Sequence, residues 1–128
     1  MKTMGVDNIF IEVGDLDGAA RFYGDILGMP IHRRFDHLRT ILFEIGHETP
    51  GLGVVAAAEP RVGGQKIWLE VQDARAAATE LREAGVPWLG DPFPIPTGWA
   101  VEIRDPWGNP IGLTDYSIRP ELGRKPSV

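Results

Sequence analysis

The sequence predicts an α+β fold in which tandem βαβββ modules form a curved mixed sheet around a cleft. Three observations carry this expectation. The segment Ile9-Phe10-Ile11-Glu12-Val13-Gly14-Asp15 returns 58 positions later as Ile67-Trp68-Leu69-Glu70-Val71-Gln72-Asp73, and Gly28-Met29-Pro30 matches Gly85-Val86-Pro87 at an offset of 57. The first copy alternates with the period of two that a strand shows when one face packs on a helix. Each copy is followed by an alanine-bearing stretch at helical spacing, with an aspartate ahead of it and a glycine behind. A duplicated unit of this size places a cleft where the halves meet.

The first module spans residues 6–58. Its opening strand puts Ile9, Ile11 and Val13 on one face and Asn8, Phe10 and Glu12 on the other. Asp15 caps a helix carrying Leu16, Ala19, Ala20, Tyr23 and Leu27, which Gly28 stops. Strands follow over Ile31–Phe35, Thr40–Ile45 and Leu52–Ala57, joined by turns at Asp36-His37 and around Pro50-Gly51. Residues 59–65 are a linker with the proline and glycine content of one.

The second module spans residues 66–116. A strand over Lys66–Val71 leads to a helix from about Ala74 to Ala84, capped by Asp73 and ended by Gly85. Strands are expected over Val86–Leu89, Trp99–Arg104 and Ile111–Tyr116, with Asp91–Pro96 as a long Pro-rich loop. The turn Asp105-Pro106-Trp107-Gly108-Asn109 joins the last two strands, its proline fixing φ early and its glycine allowing positive φ late. Residues 117–128 form a polar tail that frays or packs on a partner. At 128 residues and 43% hydrophobic content, both modules belong to a single domain, residues 1–128.

Composition narrows the function. No cysteine is present, which excludes disulfides, thiolate metal sites and a cysteine nucleophile. A formal charge of −5 disfavours a broad nucleic-acid surface. No signal peptide and no membrane span are read in the chain, so a soluble cytoplasmic protein is expected. The serines fall only at Ser117 and Ser127, and no Ser-His-acid grouping or phosphate-binding loop is visible.

Val13-Gly14-Asp15-Leu16, Phe22-Tyr23, Leu27-Gly28 and Asp105-Pro106-Trp107-Gly108-Asn109, set in a tandem βαβββ frame, resemble the vicinal oxygen chelate superfamily. That superfamily includes glyoxalases, extradiol dioxygenases and bleomycin-resistance proteins. The resemblance implies a homodimer and, for the enzymes, a divalent metal held by His and Glu. Aligned on the repeat, the first histidine position falls at Asn8, the second at Lys66, and the final glutamate at Gly112. The fourth strand, Leu52-Gly53-Val54-Val55-Ala56, offers no carboxylate or imidazole either. No metal and no cofactor are therefore expected, although His32, His37, His47 and Glu44 offer a second set of donors.

What the cleft holds instead is read from strand parity. Phe10 and Glu12 share the face of Asn8, and repeat symmetry puts Trp68 and Glu70 on the face of Lys66. Aromatic faces and carboxylates suit a flat or cationic small molecule. Trp99, near the mouth, Glu102, and Tyr116, with the parity of Gly112, complete the ligand-binding set of Asn8, Phe10, Glu12, Lys66, Trp68, Glu70, Trp99, Glu102 and Tyr116. Core packing of Phe10 and Trp68 is the plainer alternative. Gly112 is expected to leave an open volume where a metal ligand would stand. The leading expectation is a metal-independent small-molecule-binding protein of the antibiotic-resistance type, sequestering an aromatic or cationic compound. The alternative is a glyoxalase-like lyase, isomerase or dioxygenase with a non-standard metal site or with Glu12, Glu70 or Glu102 as general base.

Overall fold

A computed structural model describes residues 2, 4 and 6–125. The chain divides into two compact units, Met1–Val62 and Gly63–Val128. In the first, β1 (Asn8–Val13) leads to α1 (Leu16–Ala19), which continues as a π-helical segment (Ala20–Ile26), followed by β2 (Ile31–Phe35), β3 (Thr40–Ile45) and β4 (Glu48–Ala56). In the second, β5 (Ile67–Glu70) leads to α2 (Ala74–Glu83), then β6 (Phe93–Ile95), β7 (Gly98–Arg104) and β8 (Pro110–Thr114). The strand orders are β1-β4-β3-β2 and β5-β8-β7-β6, the same path drawn twice. Only β1 with β4 and β5 with β8 run parallel, so both sheets are mixed.

The helices form where the caps place them. The Asp15 carboxylate accepts from the Gly18 N–H at 2.6 Å, and Asp73 Oδ1 accepts from the N–H groups of Arg75 and Ala76. Gly28 and Gly85 end the helices at φ +74° and +85°. The first helix differs from expectation in its winding: the Leu27 N–H reaches back five residues to Phe22 O. Apolar spacings of three and four do not separate an α winding from a π winding.

Each sheet buries one face under its helix. Ile11, Val13, Ile41, Phe43, Leu52 and Val54 pack with Phe22 and Tyr23, and Tyr23 is fully buried between Phe22 and Phe43. Ile67, Leu69, Val101, Ile103, Ile111 and Leu113 do the same beneath Ala74, Ala78 and Leu81. Fully burying one such aliphatic or aromatic side chain contributes about 1.5–3 kcal/mol.

Three strand assignments are corrected. β4 starts at Glu48 rather than Leu52, because the turn is Gly46-His47 and Pro50-Gly51 lie inside the strand. Gly46 takes φ +61°, the positive angle a tight hairpin needs. Val86–Leu89 is not a strand: Trp88 makes one isolated bridge to Ile103. Pro87 brings no donor, and the Trp88 indole N–H donates to Ala78 O at 2.8 Å, which pins the segment to α2. The edge place goes instead to Phe93–Ile95, within the expected loop. Pro94 is tolerated there because an edge strand needs partners on one side only.

The described part of the tail, residues 117–125, is held to its own unit, and residues 126–128 lie outside the described residues. Ile118 and Arg119 donate their N–H groups to Thr97 O, and Pro120–Leu122 form a 3-10 turn. Asp115, 1% exposed, ties this segment to the rest of its unit. Its Oδ2 accepts from Ala74 N–H, and its Oδ1 accepts from Trp99 N–H, Ser117 N–H and Ser117 Oγ–H. Gly98 is required beside it, since a Cβ there would collide with the Asp115 side chain and lie 2.5 Å from its carbonyl oxygen. Gly98→Ala is expected to cost about 1–3 kcal/mol in urea unfolding, because backbone rather than a mobile side-chain end must shift. Among the described residues no helix is long and apolar enough to cross a membrane.

Candidate functional site

The face of each sheet turned away from its helix carries the residues of interest. In the first unit Asn8, Phe10 and Glu12 pair with Gly51, Gly53 and Val55 of β4. In the second, Trp68 pairs with Gly112 of β8, and Gly112 pairs with Glu102 of β7, so the three share one row across the sheet.

On these faces an aromatic ring lies against a glycine. A Cβ on Gly53 would be driven into the Phe10 ring, and one on Gly112 into the Trp68 ring. The volume expected to stand open at Gly112 is thus filled by Trp68. Gly53 is the same device in the first module, under Phe10. The rings remain 53% and 46% exposed, so neither is core packing. A ring laid flat on glycine keeps its far face available for stacking.

The repeated glutamates are each held by an arginine from near the end of their own unit. Arg61 Nε donates to Glu12 Oε2 at 2.8 Å. Arg124 donates its backbone N–H to Glu70 Oε2 and its Nη1 to Oε1, at 2.9 and 2.6 Å. The chain passes close over Tyr116 on the way: a Cβ on Gly123 would lie 2.9 Å from Tyr116 Cβ. Arg61 and Arg124 went unnoticed in the sequence because both lie in segments without periodicity. Both guanidiniums are mostly exposed, so Arg124→Ala is expected to change stability by no more than about 1 kcal/mol, measured by thermal unfolding.

Lys66 pairs with Glu102, Nζ to Oε2 at 3.0 Å, and stands 5.5 Å from the Trp68 ring centroid, within cation–π range. Trp99 is elsewhere. It shares the parity of Val101 and Ile103 on the helix side of β7, where the Arg75 guanidinium stacks 4.3 Å from its ring. Its expected place among the ligand-facing residues is therefore corrected.

In the first unit a cavity of about 330 Å³ opens beside Asn8, lined also by Asp7, His32, Glu44, His47 and Gly51. His32 Nδ1 lies 3.2 Å from Glu44 Oε1. Among the described residues no three His, Asp or Glu side chains form a group able to hold a metal ion. The family positions do not fit a metal either. They hold an amide at Asn8, an ammonium at Lys66, and a glycine at Gly112, which lies under an aromatic ring. An ammonium is a cation rather than a donor, and glycine brings no ligand atom.

Comparison with known proteins agrees with this scaffold. The family model described as Glyoxalase/Bleomycin resistance protein/Dioxygenase superfamily matches residues 5–113. No curated protein matches the sequence. Among solved structures, TnmS3, an antibiotic binding protein from Streptomyces sp. CB03234, is similar with a TM-score of 0.77 and 26% identity, covering 91% of this chain and 99% of that one. A lactoylglutathione lyase from Agrobacterium tumefaciens is similar with a TM-score of 0.72 and 19% identity, covering 93% and 98%. A superfamily member from Sphaerobacter thermophilus DSM 20745 gives 0.72 and 24%, covering 88% and 98%. The last two likenesses speak to the fold alone.

Proposed function

The chain belongs to the Glyoxalase/Bleomycin resistance protein/Dioxygenase superfamily, and on that footing we propose that it is a metal-independent small-molecule-binding protein in which Phe10 of the first unit and Trp68 of the second each offer a face on which a flat compound stacks. The observation that carries this reading is the ring-on-glycine pairing of both modules. It puts an exposed aromatic plate over Gly112, where the resemblance to the family places the final metal-binding glutamate. Similarity to an antibiotic binding protein supports it, and points to sequestration as the biological use.

The enzyme alternative gains no specific observation. Glu12, Glu70 and Glu102, its candidate bases, each hold a cation through Arg61, Arg124 and Lys66. Calorimetric titration against a panel of polycyclic aromatic antibiotics and planar cations tests the binding reading. At least one compound is expected to bind at micromolar or tighter affinity in protein stripped of metal by chelation. Elemental analysis is the second arm. A stoichiometric transition metal, with binding lost on its removal, would overturn the proposal.

The reading extends to a homodimer in the cytoplasm. The sheet orders leave β1 and β5 at sheet edges, which a second chain can pair or cover. Light scattering is expected to return twice the 14.1 kDa of one chain.

A further inference from the structure

Resting on that small-molecule reading, we propose that the second module selects a neutral planar heteroaromatic ligand with a lactam edge, a ring N–H beside a carbonyl. Trp68 supplies the plate, and the Lys66–Glu102 pair reads the edge. The row Trp68, Gly112, Glu102 runs straight across β5, β8 and β7. Lys66, just ahead of β5, reaches Glu102 of β7, two strands away and about 10 Å by strand spacing. Plate and ion pair therefore stand on one face, with Nζ 5.5 Å from the ring centroid.

The charge balance of the pair chooses the ligand. Lys66 has three N–H donors, of which one goes to Glu102 Oε2. Glu102 keeps Oε1 as an acceptor. The pair thus offers two remaining donors beside an acceptor, with no net charge. A carboxylate or phenolate drawn to Lys66 meets the negative charge of Glu102, and an organic cation drawn to Glu102 meets Lys66. A lactam edge gives a carbonyl to Nζ and an N–H to Oε1, so both charges gain a partner. At 38% and 30% side-chain exposure both groups are reachable and still partly desolvated.

Four bicyclic probes separate the possibilities by NMR titration: 2-quinolone, which has the lactam edge, 2-methoxyquinoline, which lacks the N–H, 2-naphthoate, and N-methylquinolinium. The wild-type protein is expected to bind 2-quinolone about tenfold more tightly than each of the other three. Lys66→Met and Glu102→Leu are each expected to reduce the preference for 2-quinolone over 2-methoxyquinoline from about tenfold to about one. Trp68→Ala is expected to weaken 2-quinolone and 2-methoxyquinoline alike. Folding of each variant is checked by its amide spectrum, and Lys66→Arg, which keeps the charge, is expected to retain part of the preference. Tighter binding of 2-naphthoate or N-methylquinolinium than of 2-quinolone would overturn the lactam assignment while leaving the small-molecule reading standing. Equal response of Lys66→Met and wild type to 2-quinolone would overturn it as well. If none of the four binds, the lactam assignment falls, and the broader reading is decided by the calorimetric panel.

Discussion

Asp115→Ala is expected to destabilise the protein by about 3–5 kcal/mol, a larger loss than any surface change, because it strips three backbone N–H groups of their acceptor at once. Each buried donor left unpaired costs about 1–3 kcal/mol. The three belong to Ala74 at the start of α2, Trp99 in β7 and Ser117 in the terminal segment, so their loss loosens three elements together. Thermal unfolding checks this, with an expected fall in Tm of about 10–20 °C. The same residue has a pH signature. Burial alone would raise the Asp115 pKa, but the hydrogen bonds from Ala74, Ser117 and Trp99 outweigh it and hold the carboxyl below its ordinary value. Its stabilising contribution is therefore fully present above the ordinary aspartate pKa of about 3.9 and is lost as pH falls through the lower folded value. Asp115→Asn carries no such charge, so its deficit relative to wild type is expected to be large at pH 7 and to shrink below about pH 4. A deficit that stays constant from pH 7 to pH 3 in urea melts would show that shape, not charge, carries the contribution.

What could be read from the sequence is what depends on near neighbours. Asp15 and Asp73 cap helices and Gly28 and Gly85 end them, because caps act over three or four residues. Parity placed Phe10, Glu12, Trp68 and Glu70 away from the helices, since a strand alternates whatever it pairs with. The same parity was available for Trp99, which alternates with Val101 and Ile103, and it points to the helix side where Arg75 covers it. Strand pairing was harder. Pro50 and Pro94 carry turn signals, yet both lie in strands because their neighbours, not their own preferences, set the ladder. Least visible were contacts across the fold. Nothing local says that Trp68 lies down on Gly112, or that Arg61 and Arg124 return to Glu12 and Glu70. The repeat held one unused clue to the first of these: Phe10 with Gly53 mirrors Trp68 with Gly112.

That clue supplies the sharpest separation of function from stability. Replacing both Gly53 and Gly112 by alanine is expected to abolish most binding of flat ligands while leaving the fold nearly intact. Each new methyl group takes space now filled by the Phe10 or Trp68 ring. Those rings are about half exposed and project from a strand face, so they can rotate upward without moving backbone. The cost to folding is then the loss of two ring-to-sheet contacts, on the order of 1 kcal/mol each, partly offset because alanine is better than glycine in a strand. Binding has no such relief. A ring that stands up from the sheet no longer offers its face, and one aromatic stack is worth about 1–3 kcal/mol. Each lost stack lowers affinity at its own plate by roughly five- to 150-fold. Calorimetry with a stacking ligand and urea unfolding on the same preparations measure the two quantities side by side. Affinity unchanged in the double variant would mean that the rings are not the plates. Stability lost in proportion to affinity would mean that they belong to the core after all.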